Sequence, residues 1–452
     1  MEDPAAITQL RCASECLEFR QSYDHHDSDQ QQRQVLDDTS GLWSHLPEQV
    51  MERILAFLPL PSFFRFRSVC KQWNSLMYSS RFLQICSQIG GTTTRRPWFL
   101  MLKEPAITLT SEGWLYNPCA RKWSKLPLSF LPPGARVVAT ADGILCCSIY
   151  SETRVMASRS SCKKLLVCNP LTKTCIELPC TLKERFVPTV GIVVNPETNS
   201  YKVMVAGDDM ISPFAVKNLT TEVYDSRTNR WRMASTALPR LCNLESGKTV
   251  FVQGTFYCMN YNPFSVLAYD IEQEEWTNIQ APMKRFIRTP NLVVCRGRLV
   301  LVAAVEKNRL NVPKSIRMWG LQRQQQQQQH QSSAKNCTSW VELERMPQAL
   351  YEDFLIRVSS SSSSSSSRSC EESSSSQEVV LLFSCVGNGD LILITMQNSP
   401  EMLILDLYEK VWRWLPRCPY IIGELLDDII GHGMVVQGFP FNPRLDGLQN
   451  CN

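Results

Sequence analysis

Imidazole is scarce in this chain. Its 452 residues hold five histidines: His25, His26, His45, His330 and His432. A redox metal centre needs His and Tyr ligands that converge, and these five are scattered. No Gly-x-Ser-x-Gly elbow, phosphate-cradling P-loop or dinucleotide fingerprint occurs either. Nineteen cysteines offer thiol chemistry. Cys12 and Cys16 stand near His25 and His26, but no second ligand pair has the spacing of a structural zinc site. The expectation is a non-catalytic protein with no cofactor and no metal. Positive charge is the other chemistry on offer. Lys284, Arg285 and Arg288 form one cluster, and Lys307, Arg309, Lys314 and Arg317 another, both in loop-like sequence. Such clusters serve either as solvated surface or as contacts for an acidic partner or DNA phosphate.

The elements that would position these groups are legible as a repeat. Asn117 precedes Trp123 by six residues, Asp225 precedes Trp231, and Asp270 precedes Trp276, each behind a Tyr. Asn169 with Cys175 and Asp406 with Trp412 keep the interval, and a sixth, interrupted copy ends at Trp340. Self-similarity at tens of residues signals a repeat architecture. Each copy also has a Gly opening an apolar run, as in Gly143-Ile144-Leu145-Cys146, Gly254-Thr255-Phe256-Tyr257, Gly297-Arg298-Leu299-Val300 and Gly389-Asp390-Leu391-Ile392. Asp or Asn supplies turn hydrogen bonds, and Trp supplies an apolar plate between sheets. One small sheet cannot cover both its faces, so the copies must stack radially and close. Trp98 to Leu102 is a candidate for the closing strand.

Composition changes along the chain. Residues 1–41 are polar and read as a disordered tail. Residues 42–88 have helical periodicity, and 95–440 hold short strands separated by turns, with 441–452 a C-terminal tail. A Gln-rich run (322–331) and a Ser-rich run (359–376) read as solvated loop insertions. They account for intervals of 64 and 72 residues between the last Trp positions (276 to 340, 340 to 412). Met1 is not followed by a basic start and apolar core, and no run of about 18 apolar residues occurs. The cysteines are therefore expected to be small buried hydrophobes in a reducing compartment, with no membrane partner.

In the helical segment, Pro47 suits the first turn of a helix. Val50, Ile54, Leu55 and Leu58 share a face, Pro59 and Pro61 punctuate, and Ser62 to Phe66 reads as a short second helix. Val69, Cys70, Trp73 and Leu76 belong to a third. So small a cluster cannot bury enough area alone and must dock its apolar surplus elsewhere.

The run Leu46-Pro47-Glu48, Ile54 to Pro59, and Phe64 to Leu76 with its Val69-Cys70-Lys71-Gln72-Trp73 ending resembles the F-box pattern over nearly its whole length. The Tyr-Asp and Trp repeats resemble degenerate kelch-type blades of plant F-box proteins. Segments at 205–213, 239–247 and 302–307 are similar to the floral-patterning branch of that family. The resemblance implies a mostly β protein: a small all-α F-box of three short helices, then a six-bladed kelch-type β-propeller. It implies a substrate-recognition subunit of an SCF (Skp1–cullin–F-box) ubiquitin ligase. The adaptor anchors would be Leu46, Pro47, Val50, Ile54, Leu55, Leu58, Pro59, Val69, Cys70 and Trp73. Partners would be a Skp1-type adaptor, through it cullin and a RING subunit, and a protein target. Relatives act with transcription factors, so the resemblance also implies a non-proteolytic cofactor that touches DNA through its partner. A nuclear or cytoplasmic location follows, and no small-molecule substrate.

Overall fold

The fold is described from a computed structural model. Apart from isolated positions it describes residues 46–58, 62–90, 97–103, 112–150, 162–208, 219–238, 244–261, 264–306, 313–323, 338–362, 382–396, 399–419 and 436–445. The N-terminal tail, with Cys12, Cys16, His25 and His26, lies outside these residues, as do His330, His432 and the Gln run from 324 onward.

Among the described residues, the helices α1 (Glu48–Ala56), α2 (Lys71–Ser75) and α3 (Ser80–Gly90) come first. The predicted helix around Ser62–Phe66 falls partly outside the described residues. The predicted third helix, carrying Val69, Cys70, Trp73 and Leu76, is α2, and α3 at 80–90 is a further helix beyond it.

Strands then follow in antiparallel order. β1 (Trp98–Lys103), β2 (Glu112–Asn117) and β3 (Lys122–Pro127) belong to the first blade. The second blade is β4 (Ala135–Ala141), β5 (Ile144–Tyr150), β6 (Cys162–Asn169) and β7 (Thr174–Glu177). The third is β8 (Thr189–Val194), β9 (Tyr201–Asp208), β10 (Leu219–Asp225) and β11 (Arg230–Met233). The fourth is β12 (Leu244–Val252), β13 (Thr255–Tyr261), β14 (Phe264–Asp270) and β15 (Glu275–Gln280). The fifth is β16 (Ile287–Cys295), β17 (Arg298–Glu306), β18 (Pro313–Arg323) and β19 (Thr338–Arg345). After α4 (Gln348–Ser362), the sixth is β20 (Phe383–Asn388), β21 (Leu391–Met396), β22 (Met402–Asp406) and β23 (Val411–Trp414). A last strand, β24 (Val436–Phe441), returns to the first blade and pairs with β1 from Trp98↔Phe441 to Lys103↔Val436. The chain is a closed six-bladed propeller.

Closure differs from the expectation for Trp98–Leu102. That segment is the second strand of its blade, and β24 takes the innermost place beside it. The strand ends at Phe441, and Arg444 and Leu445 are buried beyond it, so packed structure continues past residue 440. The Ser run also differs at its start: α4 extends to Ser362, so residues 359–362 continue a helix.

The repeat has a local physical cause. In the turn before five of the six outer strands, the Asx side chain accepts backbone N–H groups two or three residues on. Asn117 Oδ1 accepts from Cys119 and Ala120, Asp270 Oδ1 from Glu272 and Gln273, and Asp406 Oδ1 from Tyr408 and Glu409. Asn169 and Asp225 make the equivalent bond to Leu171 and Arg227. The Gly residues close the inner hairpins. Asp142–Gly143, Gln253–Gly254 and Arg296–Gly297 each carry two consecutive positive φ angles, the geometry that lets a two-residue turn follow strand twist.

Between every pair of neighbouring blades lies one apolar layer. Val167, Val203 and Trp231 fill the layer between blades two and three; Val302, Phe354 and Leu403 fill that between five and six, where α4 joins. Phe439 and Phe441 of β24 pack with Leu100 and Leu145 between blades one and two. Middle strands are buried along their length, as in β13 and β17, while outer strands such as β23 alternate.

Candidate functional site: the F-box face and the loop face

α1 begins from Pro47, whose carbonyl accepts the N–H groups of Val50 and Met51. Pro47 itself is extended (φ −56°, ψ 139°) and sits just before the helix. Met51 and Leu55, four apart, turn inward onto Leu76 and Phe82. Trp73 Nε1 donates to Met51 Sδ at 3.1 Å and its ring lies 5.5 Å from Phe66. Cys70 caps α2, its Sγ accepting from Trp73 N–H at 3.4 Å. Arg81 Nε lies 3.3 Å from the buried Glu52 carboxylate and ties α3 to α1.

The predicted stripe therefore divides. Leu55 belongs to the domain's own core, Leu58 and Trp73 are half-buried, and Leu46 is half-buried at the start. Val50, Ile54 and Val69 are exposed, at 42%, 37% and 62%, with Pro47 and Cys70 also exposed. A helix with 3.6 residues per turn separates Ile54 and Leu55 by about 100°, so one faces water and the other the core. Pro59 lies outside the described residues. Sequence reasoning did not include Phe57 and Phe66 among the anchors, yet they are exposed at 61% and 38%. The result is an apolar surface on a folded helical domain that no other described residue covers, of a kind that marks a protein contact.

The ring has two unlike faces. Five of the six inner strands end at short turns on one face, with Asp142–Gly143, Gln253–Gly254 and Arg296–Gly297 among them, and the sixth, β24, ends there beside Gly143 and runs on into Asn442. The helical domain docks there: Leu171, in the blade-two outer turn, and Leu445 pack on the α1–α3 cluster. The opposite face receives the connections between blades and between the second and third strands of each blade, including α4. The two basic clusters flank or join strands on that loop face. Lys284 and Arg285 are exposed in the turn between β15 and β16, and Lys314 is exposed at the start of β18. Lys307 and Arg309 lie outside the described residues. Two members are engaged within the fold. Arg288 Nε meets the buried Glu306 carboxylate at 2.6 Å, and Arg317 Nη1 meets Glu342 at 3.4 Å.

Inside the ring, the inner strands line a channel of about 370 Å³ edged by Thr140, Thr249, Asn291, Ser384, Asn388 and Asn442. The strongly perturbed acids lie in blade packing, away from this channel. Burial pushes Tyr269, Tyr351 and Cys295 each up to about 12. Among the described residues no three His, Cys, Asp or Glu side chains gather as a metal-binding group.

Comparison with known proteins agrees with this geometry. The F-box domain family model matches residues 43–85, and the KIB1-4 beta-propeller model matches 115–374. Protein UNUSUAL FLORAL ORGANS of Arabidopsis thaliana is 39% identical over 89% of this chain and 86% of its own length. Protein ABERRANT PANICLE ORGANIZATION 1 of Oryza sativa subsp. indica is 32% identical, covering 89% of each. An F-box/kelch-repeat protein of Arabidopsis thaliana is 28% identical over 90% of this chain and 91% of its own. With α1–α3 in the matched F-box and six blades behind it, the chain belongs to the plant F-box proteins that carry a KIB1-4 beta-propeller.

Proposed function

We propose that this protein is the substrate-recognition subunit of an SCF-type E3 ubiquitin ligase. The observation that carries the reading is the apolar surface of the folded F-box: Pro47, Val50, Ile54, Phe57, Phe66 and Val69 face solvent beside a core formed by Met51, Leu55, Leu76 and Phe82. A Skp1-type adaptor would bury these side chains at about 25 cal/mol per Å² before association costs. The chain itself makes and breaks no bond; cullin and RING partners carry the ubiquitin chemistry. The loop face, opposite the F-box, would receive the protein target. A ubiquitin-ligase role of this kind would be exercised in the nucleus, the cytoplasm or both. Because Val50 and Ile54 are exposed, Val50→Asp with Ile54→Asp should leave the fold intact, as circular dichroism of the variant would check. The full chain with both changes should lose adaptor binding by about 100-fold or more in a pull-down titration. Unchanged binding would overturn the reading.

A second reading is a transcriptional cofactor whose propeller holds a transcription factor and touches DNA phosphate. Exposed Lys284, Arg285 and Lys314 on one face, turned away from the F-box, favour it. Lys284→Glu with Arg285→Glu should weaken a ternary gel-shift complex and lower the magnitude of its log–log salt slope by about two. A slope that stays the same removes the DNA contact.

A further inference from the structure

We infer that Asn442 to Leu445, directly after the ring-closing strand, is the joint that fixes the F-box on the ring. Ring closure and F-box orientation are thereby coupled. Leu445 is 7% exposed and shares one apolar cluster with Met51, Leu55, Leu76 and Phe82 of the F-box, with Leu171 alongside. The segment is gripped from three blades. Asn388 Nδ2 of blade six donates to Asn442 Oδ1 at 3.1 Å, and Asn442 Nδ2 donates to Asp142 Oδ1 of blade two at 3.4 Å. Asn169 Nδ2 of blade two donates to the Arg444 carbonyl at 3.2 Å, and Arg444 Nη2 donates to Asn199 Oδ1 of blade three at 2.6 Å.

The hairpin of blade two is shaped around this segment. A Cβ on Gly143 would stand 2.2 Å from the Asn442 carbonyl oxygen. Asn169 has a double duty that its repeat counterparts do not show. Its Oδ1 caps its own turn at Leu171, while its Nδ2 holds Arg444. An aspartate there could do only the first. Four residues of the chain thus separate the closing strand's core phenylalanine, Phe439, from Arg444, the residue that bonds blades two and three. If the F-box takes an adaptor as proposed above, this joint sets the distance and direction from adaptor to target face, so less orientation is lost on assembly.

Hydrogen exchange on the full chain tests the joint without any adaptor, so its outcome is separate from that of the ligase reading. Leu445→Asp should raise exchange in α1 and α3 about tenfold or more while β17 amides stay protected. Asn169→Asp keeps the turn cap, loses the Arg444 bond, and should raise α1 and α3 exchange about threefold. Phe441→Ala should loosen α1 and α3 together with β1. Unchanged α1 and α3 protection in all three variants overturns the inference. So does equal loosening of β17 in Leu445→Asp, which would make the segment a support of the ring alone.

Discussion

Arg121, Lys173, Asn229, Glu274 and Lys410 all adopt left-handed φ between 51° and 57°, each four residues after the Asx of its blade. The turn geometry demands that conformation, and only one of the five is an Asn. An L side chain there costs about 1–2 kcal/mol, while glycine gives back part of the gain through its unfolded-state freedom. Arg121→Gly should therefore raise stability by a few tenths to about 1 kcal/mol, measured by urea unfolding. The buried phenol of Tyr269 is a second residue-scale case. Its oxygen has no hydrogen-bond partner among the described residues, so Tyr269→Phe should be neutral or stabilising by about 1 kcal/mol at pH 7. Burial, with Glu274 nearby, lifts this phenol to about 12. A folded pKa above the unfolded one gives stability that is present below pH 10 and lost as pH rises toward 12. In the Phe variant that alkaline loss should shrink, as chemical denaturation across pH 9–12 would show.

At the scale of elements, the outer-strand Trp residues do more than fill space. Trp123 Nε1 donates to the Pro416 carbonyl, Trp231 to Pro179, and Trp340 to Gln280, each in or just after the outer strand of the preceding blade. Trp276 Nε1 reaches Thr221 of the blade before it. The indoles latch the ring edge to edge, and Cys175 in blade two has no such donor to offer. Trp231→Phe keeps most of the apolar plate and loses the latch, so it should cost about 1–2 kcal/mol; Trp231→Ala should cost about 3–5. A calorimetric comparison of the two separates latch from plate. The interval from Asx to Trp was legible in the sequence because it follows from a turn closed within six residues. The recipient carbonyls were not, since they lie in another blade. The F-box shows the same divide. Its pattern was plain, but periodicity could not tell which side of α1 meets α3, and so grouped buried Leu55 with exposed Val50 and Ile54.

For the whole molecule, the decisive contact joins segments far apart in the chain. β24 and β1 share a register of six residue pairs, and nothing local in either announces the other. The sequence therefore pointed to Trp98 to Leu102 near the closure without naming its partner. Likewise α4 was masked by the low complexity of the serines that complete it. Phe441, fully buried between blades one and two, should cost about 3–5 kcal/mol when cut to Ala. Loss of cooperativity in the melting curve would mark an opened ring rather than a local cavity. Blade one thus waits on residues made long after its own β1, β2 and β3. While the chain is being synthesised, those strands emerge with an unpaired edge, and five more blades must follow before their neighbour arrives. Such an edge invites pairing with other chains. Nascent copies of this protein should accordingly depend on chaperone protection late into translation, and a premature stop just ahead of Val436 should be as harmful as one in the first blade.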